Sequence, residues 1–287
     1  MFKRMISGTG LAALILLLGC SAVQAESAAS SSKQAFSQNG TQGVGMTWTV
    51  ENLSFDGHLI ALDVLVSPSD TQYAACNDVL GDYEDFAQAD EARAEGFIPL
   101  GFYCEADVFT DSSDHAIPSV GSGWRKGSEA MKKFRWLLTT EEAEQARSIH
   151  LNCGIMETPG QLASEEAYVL DIPESAATTL AQVSVNTDQV KTDRIREILI
   201  TQTDSLTNLY IYYDNTDYGA SVPLDFVWSD HPDALVLDGY DEETQLSCHA
   251  LTLPTAEVDL SNQTVPLRDL ENNQLMTVDL QTGVAAL

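Results

Sequence analysis

The chain has 287 residues, 44% of them hydrophobic and 20% charged, and sets 43 acids against 14 Lys and Arg for a formal net charge of −29. That length allows one large domain or two of ordinary size, each with its own core. The charge excludes nucleic acid as a partner, because neutralising phosphates takes clustered Lys and Arg, and it reads as a solubilised exterior, with binding of cations or of a basic partner as the alternative.

Lys3 and Arg4 precede a mostly apolar run, Met5 to Leu18, which is shorter than the roughly 20 residues a membrane-spanning helix needs. Leu17-Leu18-Gly19-Cys20 closes that run. It resembles the lipobox of bacterial lipoprotein signal peptides. The resemblance implies cleavage after Gly19, a diacylglycerol on Cys20 and a lipid anchor at the outer face of the cytoplasmic membrane. Val23-Gln24-Ala25 offers the alternative of ordinary secretory cleavage before Glu26, which would release a soluble protein. Residues 1–19 are read as the signal peptide. Residues 20–45, rich in Ser, Ala, Gln and Gly, are read as a disordered tether.

From Met46 the pattern is that of strands. Thr47 to Val50, a turn at Phe55-Asp56-Gly57, and Leu59 to Val66 form an opening hairpin. A helix is expected within Tyr83 to Ala94, and a second short one where Thr139 and Glu142 make a capping box before Glu141 to Ala146. Ser148 to Met156 alternates, with Ile149, Leu151, Cys153 and Ile155 on one face, as in a half-buried strand. Ala167 to Ile172 follows. A second series starts near Val183: Ile195 to Ile200, Leu209 to Tyr213, Val222 to Trp228, Leu235 to Leu237, Gln245 to Thr252 and Leu275 to Leu280. Many short strands separated by turn residues predict a mostly β chain with two immunoglobulin-like β-sandwich domains, at 46–182 and 183–287.

Gly45 to Val50, Asp56-Gly57-His58 and Leu62-Asp63-Val64 resemble the opening hairpin of a domain family of unknown function. That family forms the extracytoplasmic part of Gram-positive anti-sigma-factor-like proteins and lipoproteins. The likeness continues through the Trp136 region and Ser148 to Ile155, and the second half is similar to the immunoglobulin-like module that often follows. It implies a role near envelope signalling and carries over no functional residue. The stretch from Pro68 to Gly127, with two cysteines and an acidic run, departs from the compact pattern and reads as an insert.

Apart from Cys20 the cysteines are Cys76, Cys104, Cys153 and Cys248, which allow three pairings in an exported protein. Cys76 with Cys104 is the easiest candidate disulfide, since both lie in that insert. Cys153 and Cys248 fall on strands in different domains and read at least as well as buried thiols. The motifs of serine hydrolases, zincins, phosphate-binding loops and dinucleotide sites do not occur. No catalytic residue, metal site or cofactor is assigned. Asp82 to Asp85, Asp214 with Asp217, and Asp238 with Asp241 to Glu243 read as solvated turns rather than calcium loops. Arg125, Lys126, Lys132, Lys133 and Arg135 gather into a basic segment, flanked by Trp124, Phe134 and Trp136. It is a candidate patch for docking on the acidic stretch Asp78 to Asp107, or for an envelope protein or anionic wall polymer. The expectation is a lipid-anchored, non-catalytic interaction or sensory module. The alternatives are a transporter's solute-binding lipoprotein and a hydrolase of cell-wall or sugar polymers that uses dispersed carboxylates.

Overall fold

The computed structural model describes residues 34–40, 43–77, 87–110, 113–117, 119–158, 161–185, 195–214, 224–241, 244–269 and 275–286. Cys20, Asp82 to Asp85, Asp217 and Glu243 lie outside the described residues. The first part of the chain contains β1 (Ala35–Asn39), β2 (Gly45–Phe55), β3 (Leu59–Pro68), β4 (Tyr73–Cys76), α1 (Ala87–Ala94), β5 (Ile98–Thr110) and β6 (Ser113–Ile117). It continues through β7 (Val120–Lys126), β8 (Glu129–Leu137), α2 (Thr140–Gln145), β9 (Ala146–Thr158) and β10 (Gln161–Asp171). The second part contains β11 (Thr178–Ser184), β12 (Ile195–Gln202), β13 (Leu206–Asp214), β14 (Leu224–Phe226) and β15 (Leu235–Asp241). It ends with β16 (Leu246–Pro254), β17 (Thr264–Asp269), β18 (Leu275–Asp279) and β19 (Ala285–Ala286).

The protein is mostly β. Sheet I has the order β1-β2-β3-β8-β7, and sheet II has β10-β9-β5-β4 with β6 on β5. Sheet III is β11-β12-β13-β16-β15 and sheet IV β14-β17-β18-β19. Sheets I and II close over a core that includes Trp48, Ile60, Leu62, Phe102, Trp136 and Leu151. Sheets III and IV close over Ile198, Ile211, Phe226, Leu251, Leu267 and Val278. A third cluster joins the two sandwiches: Leu59 and Ala61 of sheet I pack on Leu199, Tyr210, Leu237 and Ala250 of sheet III. The layers therefore run II, I, III, IV, with sheets I and III covered on both faces.

Local sequence explains the elements. The alternating residues Ile149, Leu151, Cys153 and Ile155 all turn into the core and are fully buried, the outcome that a period of two predicts. The hairpin pairs Phe55 with Ile60 across a turn in which Gly57 takes a φ of 98°, a conformation open to glycine at little steric cost. The Thr139 hydroxyl accepts from Glu142 N at 3.2 Å and the Glu142 carboxylate accepts from Thr139 N at 2.8 Å, so the capping box starts α2.

Several expectations change. Within the segment read as a tether, Ala35–Asn39 is β1, paired antiparallel with β2; Phe36 stacks on Tyr168 with ring centroids 4.0 Å apart, which supplies the apolar contact that composition did not suggest. The stretch read as an insert builds the core instead. It holds β5, which lies at the centre of sheet II and contributes Phe102, Cys104, Ala106 and Val108, and β5 runs parallel to β4 with α1 as the crossover. Of the expected Val222 to Trp228 strand, Leu224–Phe226 is β14 and Val227–Asp230 forms a 3-10 turn instead, while 222 and 223 lie outside the described residues. Strand β11 straddles the expected boundary at 182/183 and pairs with β12 of sheet III.

Candidate functional site

The β2–β3 turn is fixed to sheet III by one carboxylate. Asp56 Oδ1 accepts from the backbone N of His58 at 2.8 Å and of Leu59 at 2.7 Å, a local turn closure typical of aspartate. Its Oδ2 accepts from Asn208 Nδ2 at 2.7 Å and from the hydroxyls of Thr201 and Tyr210. Asp56 is 6% exposed, so these five donors replace its water. Burial, then the Asp56 charge, push the Tyr210 phenol well above its ordinary range, and it stays a donor. In the same seam the guanidinium of Arg135 donates to Asp63 at 2.6 Å and to the carbonyl of Phe134 at 2.9 Å.

Beside this lock the two sandwiches separate and leave a cleft of about 460 Å³, within the range of small-molecule sites. Its floor is apolar: Leu137 and Leu138 at the end of β8, Leu199 of β12 and Leu237 of β15. Tyr212 and Tyr240 supply aromatic walls, and Glu142, Glu197, Asp238 and Asp241 line it together with Arg196, the single Lys or Arg there among the described residues. Arg196 is itself ion-paired with Asp214, and Glu197 accepts from Gln182 Nε2 at 2.8 Å. The lining is thus acidic. Tyr212 OH lies 3.3 Å from His58 Nδ1. Burial raises the Tyr212 phenol and the Cys248 thiol, so both remain protonated hydrogen-bonding groups rather than nucleophiles. Gly239 lets β15 approach closely, because a Cβ there would stand 2.8 Å from Leu137 Cδ2.

Beneath β15, on the opposite face of sheet III, His249 bridges two carboxylates, with Nδ1 2.7 Å from Asp238 and Nε2 2.9 Å from Asp225 of sheet IV. Burial alone would lower its pKa. Hydrogen bonds to Asp225 and Asp238, with their charges, outweigh burial and push it up to about 9, so the imidazolium ties sheet III to sheet IV.

The residues expected to form a basic patch do not make one surface. Arg125 turns to α1 and pairs with Glu91 at 3.0 Å and Glu95 at 2.9 Å. Lys126 is exposed at the end of β7. Alternation along β8 then splits the rest. Lys132 lies beside Phe134, its ammonium 6.0 Å from the ring centroid and its pKa lowered by burial. Lys133 and Arg135 turn the other way into the seam, to Asp233 and Asp63. The flanking Phe134 and Trp136 belong to the core, whereas Trp124 is 40% exposed.

Cys76 and Cys104 are also apart. Cys76 sits opposite Gly101 and packs under α1, whereas Cys104 lies three residues further along β5, about 10 Å away, in the interior between sheets I and II. The structure sets Cys104 opposite Cys153 instead. Among the described residues no group of three or more His, Cys, Asp or Glu is placed to hold a metal ion, and no helix is long and apolar enough to cross a membrane.

The cleft residues went unread in the sequence, although a signal for the seam was present. Leu59 to Val66, Leu209 to Tyr213 and Leu246 to Leu253 are nearly continuous buried runs rather than clean alternations, the mark of strands covered on both faces. No family model matches the chain, and no curated protein matches it.

Proposed function

We propose that the protein is a lipid-anchored extracytoplasmic binding or sensory module, built of immunoglobulin-like sandwiches and holding a small organic cation in the cleft between them. The observation that carries the binding reading is the cleft itself, with its apolar floor of Leu137, Leu199 and Leu237 and its rim of Glu197 and Asp241. An apolar body fits that floor, and an ammonium fits the rim and the tyrosine faces. The net charge of −29 favours the approach of cations and repels anions. The lipobox-like Leu17 to Cys20 supports the anchor and the extracytoplasmic address. Buried, protonated Tyr212 and Cys248 support binding rather than covalent chemistry.

The test is a calorimetric titration of the purified protein with three matched probes: phenethylamine, phenethyl alcohol and phenylacetate. Only the amine should bind. The pair of substitutions Glu197→Gln and Asp241→Asn should weaken it by about 5-fold for each charge removed, the factor that roughly 1 kcal/mol represents. Gly239→Leu, which drives a side chain towards Leu137, should abolish binding. Equal binding of phenylacetate would refute the cation and keep the cleft; insensitivity to Gly239→Leu would refute the cleft. Retention of the protein in the membrane fraction on Cys20→Ala substitution would refute the anchor.

A further inference from the structure

Cys104 on β5 and Cys153 on β9 are direct partners in an antiparallel pair, and both stand as free, buried thiols in the structure. Directly opposed residues in such a pair have Cα atoms about 4.5 to 5.5 Å apart, inside the 4.4 to 6.8 Å that a disulfide spans. The neighbouring pairs Phe102 with Ile155 and Ala106 with Leu151 stay in the same continuous register, so the two sulfurs are held on one face of one sheet. The other two thiols lie elsewhere, Cys76 under α1 and Cys248 in the seam with Tyr210.

We infer that Cys104 and Cys153 form a cross-strand disulfide in the exported protein. Formation is an exchange with the disulfide of an extracytoplasmic thiol–disulfide oxidoreductase. One cysteine thiolate attacks that disulfide, a mixed disulfide forms and one partner thiolate leaves. The second cysteine thiolate then attacks the sulfur of the first, the intramolecular S–S bond forms, and the partner departs as a dithiol carrying the two electrons. The two protons lost by the cysteines pass through solvent to the partner's two sulfurs.

Burial dictates when this happens. Cys104 is 3% exposed and Cys153 fully buried, so no oxidoreductase reaches them once sheet I has closed over sheet II. Oxidation belongs to the emerging or partly folded chain, and the finished bond is sealed from reductant. The disulfide is then a staple of the sandwich rather than a switch.

Two preparations of the full chain test this. Protein purified from the envelope of its own host is unfolded without reductant in N-ethylmaleimide and digested, and protein reduced in denaturant is refolded with oxidised glutathione and treated in the same way. Both should give a linked Cys104–Cys153 peptide, with Cys76 and Cys248 alkylated. Dithiothreitol should leave the bond intact in the folded protein and break it in denaturant. The double variant Cys104→Ala with Cys153→Ala should melt roughly 10 °C below the oxidised protein. Alkylation of all four cysteines in the envelope preparation, a linked peptide containing Cys76 or Cys248, or reduction of the folded protein as fast as of the unfolded one would overturn the inference.

Discussion

Sheet I is covered on both faces, and the two covers use different chemistry. Against sheet II it presents Trp48, Ile60, Leu62, Val64 and Trp136, a mostly apolar face to which Gln38 adds one hydrogen bond, donated to the Cys153 carbonyl at 3.1 Å. Against sheet III it presents Leu59 and Ala61 interrupted by Asp56, Asp63, Lys133 and Arg135, each engaged with a polar or charged partner. Apolar burial holds a layer in place but is indifferent to small slides. Hydrogen bonds to a buried carboxylate fix one register, because any other leaves the charge unpaired. The mostly apolar interior thus supplies cohesion, and the seam supplies the alignment of two sandwiches that gives the cleft its shape.

Breaking the apolar side should have the larger effect. Trp136→Ala removes a fully buried indole from the centre of the core and should lower unfolding free energy by about 3 to 5 kcal/mol in urea titrations. Asp56→Ala should cost about 3 kcal/mol, since Thr201, Asn208, Tyr210 and two backbone N–H groups lose their common acceptor. The comparison sharpens through the cleft. Asp56→Ala should also weaken amine binding through loss of alignment, whereas Trp136→Ala, measured where it is still folded, should leave binding unchanged. Equal effects on binding would show that the seam does not set the site.

The tie between sheets III and IV is polar as well, but it depends on a proton. His249 in the folded protein titrates at about 9, above the unfolded value of roughly 6.5. A raised folded pKa adds stability that is fully present below pH 6.5 and is lost as pH rises through 9. The loss across that window should be about 2 kcal/mol, less than full linkage gives, because Asp238 is 69% exposed and screened. Unfolding midpoints measured from pH 6 to 8.5 should therefore fall for the native chain and stay nearly level for His249→Gln; above that, ionisation in the unfolded chain of the thiol that burial keeps protonated at Cys248 lowers both.

How much of this was legible in the sequence follows from the range over which each signal acts. Period-two alternation and the capping box are local, and they placed β9 and α2 to within a few residues. Strand β1 was missed because its stability comes from pairing with Gly45–Thr49 and from the Phe36–Tyr168 stack, a partner more than a hundred residues away. Strand β5 was hidden because Gly101, Cys104, Glu105 and Asp107 interrupt its apolar pattern, while its central place in sheet II is a property of topology. The cleft draws on β8, β12, β13, β15 and β16 at once, and one sequence carries no register between such distant strands. The basic cluster misled for the opposite reason: nearness in sequence on a strand puts neighbours on opposite faces.

That splitting yields the smallest predicted effect. Lys133 and Arg135 share the seam face of β8, but their side chains are 14% and 3% exposed, and Asp233, the partner of Lys133, is 46% exposed against 15% for Asp63. Water and salt reach the Lys133–Asp233 pair, so its 3.0 Å contact is close to an ordinary surface ion pair. Lys133→Ala should cost about 0.5 kcal/mol, and the difference from the native chain should vanish towards 1 M salt. The same salt should leave the Asp56→Ala deficit nearly intact, because that carboxylate is shielded from ions. A salt-independent loss above about 2 kcal/mol for Lys133→Ala would place Lys133 with Asp56 among the groups that fix the register of the two sandwiches.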